Sequence, residues 1–444
     1  MAPKPARRWS SHQPNVTGRG IVAAYSARFW TLVVVLGVAT GAGAALLMAL
    51  LSLAEHLAYG GHASSFLGAT KAASGERRVL VLCAAGLLVG LGAILLPRLP
   101  GSGSTEVSDA LWLHGGRMAL VPSFGRAVLS VVTVGMGVSL GREAAPQLAG
   151  AAVASRLSDW AGLPLWQRRL LVASGAGARF AAVYNVPLGG ALFALEVLLG
   201  TLALPLVLPA LAVSAVATAV AWITLGTGPT YHMASVAVNP SELVWAVVLG
   251  PVLGVAAVAW VKLIERVNRV RLGPTARVTA PLLVLGLLGL VSIRYPLLLG
   301  NGKAIVQLAL VGELSLGMFA VLLVLKPIAT AACLGVGAPG GLFTPTLSVG
   351  VLLTGLLTSG WSQIWSVSVP AAYVLIGGGA FLAASMQGPL SGVVLVLELT
   401  RHFDPLMVPT LVAVTEATIV ARRLRPCCSS SRALPSGMPS SIPV

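Results

Sequence analysis

Residues 185–196 read NVPLGGALFALE, and residues 387–398 read QGPLSGVVLVLE. The proline, the second glycine and the final glutamate of these segments match at one offset of 202 residues. A second pair agrees, because GMGVSLG at 135–141 and GVGAPGG at 335–341 share three glycines at an offset of 200. Independent segments would rarely share nearly one offset by chance, so the sequence predicts a chain of two homologous halves.

The predicted halves run from about residue 30 to 215 and from about 240 to 421, joined by a polar stretch at 227–241. Secondary transporters place a binding site between two such repeats, at helices that are broken in matching positions. Identity between the halves leaves open whether they run parallel or inverted in a membrane.

The distribution of charge indicates whether this chain lies in water or in a lipid bilayer. Charged side chains make up 9% of the 444 residues, against roughly 25% in an ordinary soluble domain. Residues 31–53, 79–97 and 327–397 carry no charge, and about 20 apolar residues suffice to cross a bilayer as one helix. The sequence therefore predicts an all-α, polytopic membrane protein.

Glycine and proline, rather than polar loops, interrupt these apolar runs. An unpaired backbone group costs several kcal/mol in hydrocarbon, so irregular backbone at membrane depth survives only inside protein or beside a watery cavity. Clustered breaks therefore favour a transport site formed by tilted and broken helices, while a single glycine is also explained by close helix packing.

Both ends of the chain are basic. Five basic and no acidic side chains precede Trp30, and four basic and no acidic ones follow Glu416. The positive-inside rule predicts cytoplasmic termini, with disordered tails at 1–29 and 426–444 around a membrane domain at 30–425. We expect the net charge of +16 to attract anionic membrane lipid and no nucleic acid, in a multi-pass protein of the cell's inner (plasma) membrane.

The four cysteines are too scattered for a disulfide framework or a zinc site, so no metal or cofactor is expected. Cys83 and Cys333 lie in apolar runs and fit small packing residues. Cys427 and Cys428 follow the last apolar run. Acylation is chemically possible there, and a reduced pair without a role is the simpler interpretation.

Three glycine-rich segments carry the functional argument: GSGST at 101–105, GREAAP at 141–146 and GAPGGLFTP at 337–345. A glycine loop at a helix N-terminus leaves backbone N–H groups unpaired and aims the positive end of the helix dipole at the gap. Each segment can thus stabilise an anion without a buried lysine, and Ser102 adds a hydroxyl donor. A phosphate-binding loop is disfavoured, because neither the P-loop nor the Rossmann pattern is present.

Three of the acids that stand in apolar stretches bear on the function. We expect Glu143, at a positive helix end, to occupy an anion site itself until it is protonated or moves away. The alternative for Glu143 is a salt bridge with Arg142. Glu196 and Glu398 repeat between the halves, which favours a structural task such as accepting hydrogen bonds from the backbone of broken helices.

Taken together, these motifs resemble the CLC family of chloride channels and chloride/proton antiporters over nearly the whole chain. The resemblance implies a homodimer of subunits with inverted halves, in which each subunit has one anion pathway and helix N-termini converge on chloride. It assigns chloride coordination to Ser102, Gly103 and the amides of Leu342 and Phe343, and gating to Glu143. The residues that it implies as support for the anion pathway are Gly101, Gly141, Arg142, Gly341 and Pro345.

The chain also departs from the family pattern. Ser104 and Thr105 stand where the family has an apolar residue and a proline, and residues 144–146 add one position to the second motif. Val197 stands where proton-coupled members often have a second glutamate, and a valine cannot relay protons, which favours a channel or an exchanger with another proton path. The tyrosine that completes the chloride site near the C-terminus is missing, since serines occupy 429–431. The gate on that side is therefore expected to be open or differently built.

The function predicted first is chloride transport by a channel that Glu143 gates. A chloride/proton antiporter is the alternative, followed by a transporter of another small anion, and the retained Ser102 favours chloride over nitrate. A membrane enzyme is disfavoured because the six histidines form no ligand pair and no nucleophile elbow is present. A cation or amino-acid transporter would require converging acids. Only 19 positions follow residue 425, so no CBS-type regulatory domain is expected.

Overall fold

The computed structural model describes residues 25–60, 65–233, 239–365, 367, 370–402 and 406–424. Most of both predicted tails lies outside these ranges, together with Cys427, Cys428 and the serines at 429–431. Within them the chain forms seventeen α-helices and two isolated β-bridges. The predicted all-α class is confirmed.

Eight helices of the first half have a counterpart roughly two hundred residues later, and α2 has none. A 3-10 turn follows both α3 and its counterpart α11, and α8 continues as a π-helical segment over Phe193–Leu199. The helices of the first half are α1 (Ala27–Tyr59), α2 (Phe66–Ala72), α3 (Gly75–Leu95), α4 (Val107–Trp112), α5 (Leu120–Gly135), α6 (Ala144–Trp160), α7 (Leu165–Tyr184), α8 (Pro187–Leu192) and α9 (Leu204–Leu225). Those of the second half are α10 (Pro240–Asn268), α11 (Ala276–Arg294), α12 (Lys303–Leu310), α13 (Leu316–Gly335), α14 (Phe343–Trp361), α15 (Pro370–Met386), α16 (Pro389–Thr400) and α17 (Met407–Leu424).

Helix length varies widely. Seven helices among the described residues are long and apolar enough to cross a membrane, namely α1, α3, α9, α10, α11, α13 and α14. The apolar helices α5, α15 and α16 are shorter. The chain is therefore a multi-pass membrane protein with helices of unequal length, as the charge pattern predicts.

Each half contains a close helix crossing that depends on a glycine, and the two crossings are equivalent. A Cβ at Gly41 of α1 would lie 2.5 Å from the carbonyl oxygen of Ala217 in α9. A Cβ at Gly254 of α10 would likewise lie 2.5 Å from the carbonyl oxygen of Ala417 in α17. These separations are too short for a carbon atom, so the α1–α9 and α10–α17 crossings both depend on glycine.

The two halves meet through a reciprocal backbone contact. The amide of Gly141 donates to the carbonyl oxygen of Gly341 at 2.7 Å, and the amide of Gly341 donates back to Gly141 at 2.8 Å. The two glycines occupy equivalent places in the sequence repeat, so exchanging the halves leaves the contact unchanged. A local twofold axis therefore passes between them, which is the symmetry of an inverted repeat.

Candidate functional site

The site is built around two helix starts that follow tight glycine turns. Gly137, after α5, adopts φ of 104°, and Gly337, after α13, adopts φ of 82°. This left-handed region favours glycine, because a Cβ would crowd the neighbouring backbone. Both turns end a helix abruptly and lead the chain to the first turns of α6 and α14, where amides have no partner within the helix.

The carboxylate of Glu143 lies on the first turn of α14. Its Oε1 accepts hydrogen bonds from the amide of Phe343 at 2.7 Å and from the amide of Thr344 at 3.3 Å. Its Oε2 accepts from the hydroxyls of Tyr184 at 3.1 Å and Thr344 at 3.4 Å. Glu143 is only 2% exposed, so these donors replace water around a buried carboxylate. The same donors and the positive end of the α14 dipole suit a small anion.

Tyr184 is held firmly in this arrangement. It is the last residue of α7, which ends because Asn185 adopts left-handed φ of 57°. The tyrosine ring packs against Phe180 at 5.0 Å between centroids and against Phe343 at 5.9 Å. Its hydroxyl also lies 2.8 Å from Oγ1 of Thr344. The hydroxyl is therefore fixed where it can donate to Glu143.

Gly141 and Gly341 provide the space for this carboxylate. A Cβ on either glycine would overlap the Glu143 side chain. Their reciprocal backbone bonds join the loop that carries Glu143 to the loop that precedes α14. The two predicted supporting glycines thus flank the acid from both halves of the chain.

Arg142 turns its side chain to Tyr184. Its guanidinium carbon lies 5.1 Å from the centroid of the Tyr184 ring, which is a cation–π distance. The tyrosine thus stands between the two neighbours in sequence, with Arg142 over its ring and Glu143 at its hydroxyl. This geometry differs from the direct Arg142–Glu143 salt bridge that the sequence left open.

A cavity of about 790 Å³ opens beside the Glu143 contact. Its wall includes Glu143, the start of α14 from Leu342 to Phe343, and Thr105 from the first glycine-rich segment. Four charged side chains face it: Arg126, Arg271, Glu106 and Glu143. A space of this size admits water beside the residues that hold the carboxylate.

A second cavity, of about 400 Å³, adjoins the first. Gly101, Gly103, Gly337 and Pro339 line it, and Thr105 and Arg126 line both cavities. Residues of all three glycine-rich segments therefore line these two adjoining cavities.

The structure shows the surroundings of the residues to which the resemblance assigns chloride binding. Ser102 is exposed and lines neither of these cavities, whereas Gly101 and Gly103 line the smaller one. Leu342 is the N-cap of α14, and the amides bonded to the carboxylate are those of Phe343 and Thr344, one position further on. Pro345 is buried in the first turn, where a missing N–H costs little.

Glu196 and Glu398 lie away from the cavity wall and cap helices of the opposite half. Glu196 accepts from the amide of Ser391 at 2.7 Å, at the start of α16, and Glu398 accepts from the amide of Gly189 at 2.6 Å, at the start of α8. Glu196 also accepts from the amide of Leu390 at 3.2 Å, and Glu398 also accepts from the amide of Leu188 at 3.0 Å. The carboxylates thus satisfy backbone donors that would otherwise be unpaired.

Two residues of the site, Tyr184 and Thr344, were not predicted. Thr344 stands inside the third glycine-rich segment, and Tyr184 directly precedes the repeated segment, so position relative to the motifs was the available signal. Nothing in the sequence tells which of these hydroxyls faces the acid. Within the described ranges, no group of three or more His, Cys, Asp or Glu side chains could hold a metal ion.

Comparison with known proteins adds independent findings. Residues 85–422 match the family model described as the voltage gated chloride channel. The H(+)/Cl(-) exchange transporter ClcA of Cronobacter sakazakii is 29% identical over 348 residues, which cover 74% of this chain and 72% of the relative. The voltage-gated ClC-type chloride channel ClcB of Salmonella typhimurium is 29% identical over 391 residues, which cover 84% and 91%.

The architecture also matches a solved structure. A slow cyanobacterial Cl-/H+ antiporter superposes with a TM-score of 0.78 at 21% identity, covering 90% of this chain and 96% of that one. At this identity the similarity establishes the fold.

Proposed function

The chain belongs to the voltage-gated chloride channel family, and on that premise we propose that it is a chloride channel gated by the side chain of Glu143. Chloride transport is the activity of this family, whose members named above include both a channel and an exchange transporter. The observation that carries the gating proposal is the 2.7 Å hydrogen bond from the Phe343 amide to the Glu143 carboxylate.

The gate works by competition for one set of donors. While Glu143 is deprotonated, its carboxylate holds the Phe343 and Thr344 amides, and chloride is excluded. Protonation removes the negative charge and weakens these charge-assisted bonds. Chloride then replaces the carboxylate at the helix start, one negative charge for another, and the path through the site opens.

Val197 favours a channel over a proton-coupled exchanger. It lines the larger cavity directly after Glu196, and an apolar side chain has no group to pass a proton along. Exchange of chloride for protons is the second candidate, because relatives such as ClcA carry the name of an exchange transporter.

Chloride flux into proteoliposomes tests the gate. Wild-type flux should rise as the pH falls from about 8 to about 4, through the range in which a carboxyl group binds its proton. Flux of Glu143→Gln should be high and almost independent of pH. Glu313→Gln, on the exposed surface, is the matched control and should follow the wild type. A wild-type pH response that persists in Glu143→Gln would remove Glu143 from the gate.

Reversal potentials measured under opposed chloride and proton gradients separate the two candidates. A channel reverses at the chloride equilibrium potential whatever the proton gradient. A reversal potential that moves with the proton gradient would establish exchange instead.

We further propose a homodimer in the plasma membrane, with both termini in the cytoplasm and with anionic lipid around the basic ends. In this proposal chloride is the substrate, and protein groups alone contact it, without a metal or an organic cofactor. Mass measurement of the complex in lipid nanodiscs tests the assembly, and a monomeric mass would contradict it. Labelling of cysteines introduced at each end, with a reagent that cannot cross the membrane, tests the orientation.

A further inference from the structure

Thr105 holds the position at the cavity that the resemblance assigns to a different hydroxyl. Ser102 is exposed and lines neither cavity, while Thr105 is half-buried and lines both. The loop between them turns at Gly103, which adopts φ of 112°. A short bridge between Ser104 and Met118 then holds the chain just before Thr105.

The surroundings of Thr105 leave its hydroxyl proton free for a ligand. Its Oγ1 accepts a hydrogen bond from the guanidinium of Arg126 at 3.2 Å. A hydroxyl has one proton and two lone pairs, so accepting from Arg126 leaves the proton available to donate. A donor that already accepts from a cation is also polarised, which strengthens its bond to an anion.

Ser130 supplies a second hydroxyl, and it has no partner in the part of the chain that the structure describes. It lies on α5 four residues after Arg126, on the same helix face. The residue is 2% exposed and lines the larger cavity. Its Oγ accepts and donates no hydrogen bond among the described residues, and a buried unpaired donor is costly unless something fills the site.

Charge at this cavity changes when the gate opens. Arg126 pairs with Glu106 at 2.9 Å, and their side chains are 34% and 55% exposed. The charged lining balances while Glu143 is ionised, with two guanidiniums against two carboxylates. Protonation of Glu143 leaves one positive charge in excess, and an anion in the cavity restores the balance.

We propose that Thr105, Arg126 and Ser130 form a chloride subsite in the larger cavity and take the place of the Ser102 hydroxyl. The subsite rests on the proposed function, since it feeds the same pathway. It holds the ion between the solvent and the donors at the start of α14. Chloride there contacts two hydroxyls and a cation that already has a carboxylate partner, so it is held loosely enough to leave.

Chloride titration by calorimetry, combined with proteoliposome flux, tests the subsite with matched variants. Thr105→Val preserves shape and removes the hydroxyl, and it should weaken chloride binding about tenfold, as expected for losing one hydrogen bond to a charged partner. Ser130→Ala should weaken binding several-fold. Ser102→Ala is the control and should bind chloride like the wild type.

Thr105→Ser distinguishes loss of the hydroxyl from loss of packing. It should restore wild-type affinity, and elution as one species shows that each variant folds. If Ser102→Ala loses affinity while Thr105→Val keeps it, the subsite is wrong, although wild-type flux would still support the proposed function. Absence of chloride flux in the wild type would instead contradict the proposed function itself.

Discussion

The carboxylate of Glu143 lies 2.7 Å from the backbone nitrogen of Phe343, which stands 200 residues further along the chain. The first half of the chain supplies the acid, and the second half supplies the helix start that holds it. Because neither half contains both parts, the gate exists only when the two halves are packed together. Variants at this contact therefore report on the mechanism. Variants at Glu196 and Glu398, which cap helices of the opposite half, report on the packing of the two halves.

Tyr184→Phe should shift the pH at which flux is half-maximal upward by about one unit. The tyrosine hydroxyl donates to Oε2 of Glu143 and thereby stabilises the charged form. Without that donor, the carboxylate binds a proton at higher pH, and the gate opens at higher pH. The measurement is proteoliposome chloride flux as a function of pH.

The matched control for this prediction is Tyr25→Phe, whose hydroxyl donates to the carbonyl oxygen of Pro205. Its half-maximal pH should equal that of the wild type. A downward shift in Tyr184→Phe, or equal shifts in both variants, would contradict the role given to Tyr184.

Gly341→Ala should raise chloride flux at neutral pH toward that of Glu143→Gln. The new methyl group would overlap the Glu143 side chain and force the carboxylate off the amides of α14. Gly317→Ala is the control, because its added carbon meets no described atom within 4 Å apart from its chain neighbours and the backbone of its own helix. Should Gly341→Ala fold normally and keep the full pH response of the wild type, the close fit around the carboxylate has no part in gating.

Glu398→Gln should lower the free energy of unfolding by about 2 kcal/mol, since a carboxylate that accepts two backbone bonds is replaced by a side chain with one acceptor and one donor group. The symmetry of the repeat predicts a similar loss for Glu196→Gln. Thermal unfolding in detergent measures both, with the exposed Glu313→Gln as the control. If Glu398→Gln and Glu196→Gln are both as stable as the control, the two carboxylates contribute little to the free energy of unfolding.

The repeat and the glycine turns could be predicted because they depend on local chain properties. An offset of about 200 residues is visible in the sequence. Gly137 and Gly337 match at that offset, and both adopt a left-handed φ that favours glycine. Glu143 could be singled out because a charged side chain at membrane depth costs free energy and is usually kept for a function. The all-α class followed from the charge-free runs.

The placement of hydroxyls could not be predicted in the same way. Whether Ser102 or Thr105 faces a cavity depends on a rotation of the loop at Gly103, and the motif alone does not encode that rotation. Tyr184 reaches Thr344 across 160 residues of chain, a contact set by where the last turn of α7 meets the first turn of α14. Helix α9 continues to Leu225, because its apolar run is unbroken up to Gly226.

Chloride titration of purified Glu143→Ala at neutral pH tests most directly whether carboxylate and chloride share the amides of α14. Truncation to alanine vacates the donors of Phe343 and Thr344 without leaving a side chain that reaches them. The variant should bind chloride about tenfold more tightly than the wild type, and the difference should shrink at low pH, where the wild-type carboxyl group is neutral. Equal affinity of the two proteins at neutral pH would contradict the account.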